Sequence, residues 1–257
     1  MDILRKELNA VYAAQNLEKE ILDRNIITAA LARVKACAGI SNGCYVITDA
    51  SADRCHIIGG GFCRLLGLTD DNEMYAEADS SDEDIIYMRL HPEDLVEKRM
   101  LEYEYFRFVD SLPGEEKVKF KATCTVRIRN RVGDYIPVAN STRVIVPSPE
   151  GKIWLILCCY DLSPSQEFVG GISPRIVNNS NGEIITISTE ERRKRILTER
   201  EKEILRLIRM GKPSKQIADI LKISIHTVSR HRQNIIEKLS VGNTVEAITA
   251  ASAMRLL

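Results

Sequence analysis

The run of helix start and stop signals between Leu197 and Leu257 constrains this chain more than any other feature. Thr198 followed by Glu201 forms a capping box, in which hydroxyl and carboxylate satisfy each other's orphan backbone N–H groups. Ile204, Leu205 and Ile208 then recur at helical spacing, and Gly211 stops the helix. Ser214 is placed to cap a second helix with Ile217, Ala218 and Leu221 on its inner side. Ser224 is placed to cap a third, about Ile225 to Leu239, and Asn243 with Glu246 a fourth. Short amphipathic helices in close succession bury their apolar stripes against one another, so the segment is expected to form an all-α four-helix domain over 197–257.

The third helix carries the chemistry. Val228, Ile235 and Leu239 make an inward stripe, while His226, Ser229, Arg230, Gln233 and Asn234 fall largely on the opposite side. An outward face of this kind suits the major groove of DNA, where Arg pairs with guanine and Gln or Asn with adenine. A solvated helix in a small bundle has the same polarity, so the face alone does not decide the matter. The segment also resembles the LuxR-type helix-turn-helix domain, found in NarL and GerE regulators as well. The resemblance runs through L-T-x-R-E from Leu197, S-K-Q-I-A from Ser214, I-S-I-H-T-V-S-R-H-R-Q-N-I-I-E-K-L from Ile223, and the closing E-A at Glu246. It implies a third helix that enters the major groove and a fourth often used for dimerisation. By position it implies that Ser229, Arg230 and Gln233 face bases and that Lys215, Thr227 and Arg232 meet phosphates. His231 matches a usual family histidine and is expected to be structural, whereas Ser229 stands where relatives often carry Lys.

Charge agrees once it is divided. The whole chain is neutral, with 36 basic and 36 acidic residues. From Glu191 to Leu257 there are fifteen Lys and Arg against seven Asp and Glu, leaving twenty-one against twenty-nine elsewhere. A basic end on an acidic body suits a protein that meets a polyanion at that end.

Upstream, residues 1 to about 36 read as one helix, with Leu4, Leu8, Val11, Leu17, Ile21, Leu31 and Val34 at roughly helical spacing; it ends at Ala38-Gly39 and Ser41-Asn42-Gly43. CYVIT (44–48) and HIIGG (56–60) read as strands, FCRLLGL (62–68) as a short helix, Thr69–Asp84 as a polar, acidic stretch, and Pro92 to about Phe108 as a helix. Lys117–Asn130, Tyr135–Val146 and Ile153–Tyr160 read as consecutive strands separated by good turn sequences. This predicts an α+β domain over 40–162, after a helical segment over 1–39. A linker over 163–196 would contain a β-hairpin around Asn181-Gly182 and the basic ERRKR run at 191–195. The early strand pair, FCRLLGL, HPEDL (91–95) and the closing strands that end at YDLS (160–163) resemble a PAS domain. That resemblance implies a unit that senses a small-molecule effector or mediates dimerisation, with the ligand left open.

Other chemistries are weaker. Seven scattered cysteines lack any C-x-x-C pair and read as small buried thiols. Cys63 as a flavin-adduct cysteine lacks the fuller asparagine-containing motif of light-sensing PAS relatives. His56 or His91 as a haem ligand rests on a lone imidazole. Gly59-Gly60-Gly61 carries no phosphate-loop continuation. Asp49 follows a strand, but three consecutive strands do not fit the βα alternation of a phosphoryl-receiver domain. No cofactor or metal is assigned, and no nucleophile–base constellation marks an enzyme. The N-terminus MDILRKEL is not a signal peptide, and the longest apolar run, Ile153–Tyr160, is too short to cross a bilayer. The expectation is a cytoplasmic, homodimeric transcriptional regulator, free of membranes, with double-stranded DNA as partner and a contact with RNA polymerase. Its rival is a cysteine-based redox or enzymatic protein, centred on Cys63 or on Cys55 and His56, whose C-terminal bundle is an interaction module.

Overall fold

Eight antiparallel strands form one sheet in the order β3-β2-β1-β6-β5-β4-β7-β8. They are β1 (Cys44–Asp49), β2 (Arg54–Gly59), β3 (Met74–Ala78), β4 (Phe120–Arg129), β5 (Tyr135–Pro147), β6 (Ile153–Leu162), β7 (Arg175–Asn178) and β8 (Ile184–Thr186). The computed structural model describes residues 2–81, 83–167, 170–187, 196–239, 241–254 and 256–257. Its chain divides into a sheet unit over Leu8–Ile187 and a helical unit that comprises Ser188–Leu257 with the first seven residues.

The strands alternate as their sequences require. In β4, Phe120, Ala122, Cys124, Val126 and Ile128 point inward and are buried, while the residues between them are half-exposed. This inner face is covered by α3 (Phe62–Leu65), α4 (Asp84–Tyr87) and α5 (Pro92–Asp110), with the main core between, and α6 (Gly114–Lys117) follows α5. On the other face, Ile27, Ala30, Val34 and Ala38 of α2 (Arg24–Ser41) pack on Ile47, Ile58, Trp154 and Leu155. Asp49 ties that side together. Its carboxylate accepts from Trp154 Nε1 at 3.1 Å, from the Ser51 amide and hydroxyl at 3.0 and 2.6 Å, and from Arg24 at 2.9 Å.

Four features depart from the sequence expectation. The N-terminal helix is broken: α1 (Asp2–Ala14) ends, Asn16 turns left-handed at φ 49°, and Asp23 caps α2 by accepting from the Asn25 amide. Helical spacing on both sides of that break looks continuous in sequence, but the cap restarts the helix. Gly39 does not end α2, which runs to Ser41 and stops where Asn42 turns to φ 60°. The acidic stretch contains β3, an edge strand beside β2 whose outward positions explain its polarity. The hairpin expected in a linker joins the sheet instead, with β7 paired to β4 from Phe120↔Asn178 to Thr123↔Arg175. The ERRKR run lies outside the described residues.

The glycine run at 59–61 has a packing reason. A Cβ on Gly60 would fall 2.7 Å from the Ala38 carbonyl oxygen and from the Asn42 Cα, so glycine alone lets the end of β2 reach the end of α2.

Two lysines are buried inside this unit. Lys117 donates to the carbonyl oxygens of Val109, Asp110 and Leu112 at 2.6, 3.0 and 2.8 Å, closing the C-terminus of α5. Lys98 pairs with Glu102 one turn along α5 and donates to the Tyr87 hydroxyl at 3.0 Å, while Tyr160 donates to the buried Glu83. Burial pushes Glu83 above the usual carboxylate range, against the pull of the Lys98 ammonium.

Lys117→Met keeps the bulk and strands three carbonyls. It should lower the stability of the sheet unit by about 1–3 kcal/mol, read as a lower urea midpoint. An unchanged midpoint would show that the carbonyl cage contributes nothing.

Candidate nucleic-acid interface

Among the described residues from Ile196 onward, four helices build the second unit: α7 (Glu199–Arg209), α8 (Ser214–Leu221), α9 (Ile225–Leu239) and α10 (Thr244–Ala253). Their caps are largely those the sequence dictates. Thr198 and Glu201 make the capping box in both directions, at 3.3 and 2.8 Å. Asn243 accepts from the amides of Val245 and Glu246, both at 3.0 Å, and Ser224 accepts from the Thr227 amide at 3.0 Å. Ser214 is the exception. Pro213 occupies the cap position with φ −69° and ψ 157°, Ser214 is already helical, and its hydroxyl accepts from Arg232. Gly211, at φ 76°, supplies the left-handed turn after α7.

The core is built largely from the predicted stripes: Ile204, Leu205, Ile217, Ala218, Val228, Ile235 and Leu239 are buried. Ala247 and Ala251 of α10, which the sequence reading did not single out, complete it. Each buried Val, Leu or Ile is worth about 1.5–3 kcal/mol of transfer free energy, so the stripe of α9 fixes which side of the helix faces water. Ile208 and Leu221 lie at the margin, half-buried.

Polar ties fix the orientation of α9 within the bundle. The Arg232 guanidinium donates to the Ser214 hydroxyl at 3.1 Å and to the Thr244 hydroxyl at 3.0 Å, joining α9 to the starts of α8 and α10. Lys238 donates to Glu201 at 2.8 Å, joining α9 to α7. Burial raises the Glu201 pKa, but the Lys238 ammonium and the Thr198 amide and hydroxyl outweigh it and hold the carboxyl below its usual range. Arg200 reaches the Leu221 carbonyl at 2.9 Å and ties α7 to α8.

With the bundle so fixed, His226, Ser229, Arg230 and Gln233 are exposed along α9, and Asn234 is half-buried. Ser229, Arg230 and Gln233 fall at i, i+1 and i+4, which sets them on one side of the helix. Lys215 is exposed in the first turn of α8. Thr227 and Arg232 are half-buried and already bonded within the unit, Thr227 to Ser224 at 2.8 Å. The α9 N-terminus adds the positive end of a helix dipole. Sequence reasoning missed the Arg232 tie, because its partners at 214 and 244 become neighbours only in the folded bundle.

Residues 195–251 match the GerE model of bacterial regulatory proteins of the luxR family. The helical unit carries a luxR-family helix-turn-helix domain. Its curated relatives include the uncharacterized response regulatory protein YgeK of Escherichia coli K12, 50% identical over 58 residues, or 23% of this chain and 40% of that protein. The transcriptional regulatory protein DesR of Bacillus subtilis is 51% identical over 53 residues, 21% of this chain and 27% of its own length. The chain thus spans less than half the length of each of these relatives, over a segment about as long as the luxR domain. Over the whole chain, a Vibrio cholerae VqmA dimer solved without target DNA aligns across 88% of both chains at 18% identity, with a TM-score of 0.29.

In the sheet unit, the other candidates are committed elsewhere. His56 is buried, with Nδ1 3.2 Å from the Tyr75 hydroxyl, and Asp49 is the acceptor hub beneath α2. His91 precedes Pro92 and stacks edge-on to Tyr135 at 4.9 Å. Among the described residues no three His, Cys, Asp or Glu side chains gather as a metal site, and no helix is long and apolar enough to cross a membrane.

Glu201→Gln removes the charge that both Lys238 and the capping box use. The variant should lose about 1–3 kcal/mol at neutral pH. Because the folded carboxyl sits below its unfolded value, the wild type keeps this contribution above the ordinary carboxylate range. It loses the contribution as pH falls through the folded pKa. Urea titrations from pH 7 to acid should therefore show the gap between the two proteins closing at low pH. A gap independent of pH would remove the charge from the account.

Proposed function

We propose that this protein is a sequence-specific DNA-binding transcriptional regulator. In this reading α9 reads the major groove, and Ser229, Arg230 and Gln233 contact base edges. The observation that carries it is the exposed polar side of α9, held in fixed orientation by the Lys238 and Arg232 ties, within a domain of the luxR family. The transcription-regulatory name of DesR and the basic charge of the segment from Glu191 support it. Lys215, Thr227 and Arg232 are assigned to the phosphate backbone. Arg232 would act there from a fixed position, since two hydroxyls already hold its fork.

The sheet unit is read as a PAS-like sensor over 40–162 that controls the reader. The joining of the early strand pair with the three closing strands in one sheet supports this, with FCRLLGL and HPEDL opening the helices α3 and α5 on its inner face. A small-molecule effector would act by shifting the geometry of a homodimer, and with it the spacing of two α9 helices on DNA. The reading sets the protein in the cytoplasm, in contact with RNA polymerase, and gives it no catalytic step. The rival in which the C-terminal bundle serves as an interaction module loses ground, because that bundle carries a luxR-family domain.

Mobility shifts on selected and scrambled DNA test the assignment. Arg230→Ala should cost about 1–3 kcal/mol of discrimination, removing preference at one base position while leaving non-specific binding. Lys215→Ala should weaken all sequences equally and reduce the slope of log affinity against log salt by about 1. An Arg230→Ala protein with unaltered preference would remove α9 from the readout.

A further inference from the structure

Cys44 and Cys63 meet in the core of the sheet unit, although nothing in their spacing announces it. In the antiparallel register, Cys44 of β1 stands directly opposite Gly59 of β2. Side chains so paired point to the same face with Cβ atoms about 4.5–5.5 Å apart. Gly59 has no side chain, and the space is taken by Cys63: a Cβ built on Gly59 would lie 1.9 Å from the Cys63 Sγ. The first turn of α3 brings it there, through the bond from the Cys63 amide to the Gly60 carbonyl at 3.0 Å. The two thiols are hydrogen-bonded to each other, and both residues are fully buried.

We propose that Cys44 and Cys63 are a reversible disulfide pair, closed by a hydroperoxide oxidant, that fastens α3 to the central strand β1. Forming the bond requires the two sulfurs to close to ~2.05 Å, a movement that rotation of the two side chains across the empty Gly59 position can supply. Their hydrogen bond divides the roles. It draws the Cys63 thiol below the usual thiol range and, with burial, pushes Cys44 well above it, so Cys63 is the nucleophile and Cys44 the resolving thiol.

The chemistry balances in two steps. The Cys63 thiolate attacks one peroxide oxygen and the O–O bond breaks. A Cys63 sulfenic acid forms, and the other oxygen takes up a proton and departs as water from hydrogen peroxide, or as an alcohol from an organic hydroperoxide. The Cys44 sulfur then attacks the sulfenic sulfur, the S–S bond forms, the S–O bond breaks, and the departing hydroxide takes the Cys44 thiol proton and leaves as water. Two thiols lose two electrons, and the peroxide gains them.

Closure would stiffen one corner of the unit. Gly60 donates to the Gly43 carbonyl at 2.8 Å and Phe62 to the Asn42 carbonyl at 2.9 Å, so the ends of α2, β1 and β2 converge beside the pair. The Arg131 amide, after β4, donates to the Leu65 carbonyl at 2.9 Å and carries the constraint to that strand. The other thiols do not share this geometry: Cys55 lies beside Thr48 at 3.3 Å, Cys158 beside Thr142 at 3.3 Å, and Cys37 is exposed on α2. The inference is independent of the DNA-binding reading.

The test treats the full-length reduced protein with hydrogen peroxide. Remaining thiols are then alkylated, and the digest is read by mass spectrometry without reduction. A cross-linked peptide pair containing Cys44 and Cys63 is expected, abolished by dithiothreitol, together with a higher urea midpoint for the oxidised protein. Gly59→Ala keeps both thiols but puts a methyl where the Cys63 sulfur sits. It should lose the cross-link while far-UV circular dichroism confirms a folded protein. Should that variant fail to fold, Cys44→Ala serves, leaving Cys63 as a sulfenic acid trapped by dimedone. Recovery of Cys44 and Cys63 as unlinked alkylated peptides, under conditions that oxidise the exposed Cys37, would overturn the proposal. So would a cross-link that persists undiminished in folded Gly59→Ala.

Discussion

The sheet unit depends on the placement of one strand. β1 pairs with β2, its neighbour in sequence, and also with β6, more than a hundred residues further on. Until β6 arrives, one side of β1 has no hydrogen-bonding partner, and an unpaired buried backbone group costs about 1–3 kcal/mol. Completing that ladder also makes the surface on which α2 docks, because Ile47 comes from β1, Ile58 from β2, and Trp154 and Leu155 from β6. Asp49 records the same dependence in polar form, binding Arg24 of α2 and Trp154 of β6 with a single carboxylate. Such non-local closure makes for slow, cooperative assembly. The helical unit is the opposite case, with each helix starting from a cap in its own few residues.

The two units also spend their polar groups differently. In the sheet unit, ionisable side chains are taken inside: Lys98 with Glu102, Glu83 with Tyr160, and Lys117 in its ring of carbonyls. Burying them is costly unless every partner is in place, so they specify one arrangement of α5 over the sheet more than they add to its stability. In the luxR domain the ties lie between helices and near the surface, leaving one side of α9 to the solvent. A fixed internal arrangement and an open external one fit the sensor and reader roles proposed for the two units.

Much of this was legible in the sequence, for identifiable reasons. The caps at Thr198, Ser224 and Asn243 and the stripe Val228–Ile235–Leu239 are local signals, and the bundle follows them. The three long strands announced themselves through alternation and turn residues. What escaped was set by neighbours distant in the chain. β3 is a short edge strand set among acidic neighbours on both sides, so the stretch that contains it resembled a loop. The hairpin of β7 and β8 was legible, but its attachment to β4 was not, since strand pairing leaves no mark on spacing. The break between α1 and α2 hid behind apolar residues that happen to keep helical phase. At the interface itself, the outward residues of α9 were readable from periodicity, while the tie made by Arg232 needed three helices in place.

That tie bears on how such a reader can diverge. Arg232 anchors α9 through hydroxyls on two other helices, whereas Ser229, Arg230 and Gln233 stand exposed on the helix. Exchanging the exposed residues alters what the surface presents and leaves the scaffold where it was. Exchanging Arg232, Ser214 or Thr244 removes a tie between α9 and its neighbours. In the proposed reading, the positions that face bases are thus distinct from those that hold the bundle, and only Arg232 serves both scaffold and backbone contact.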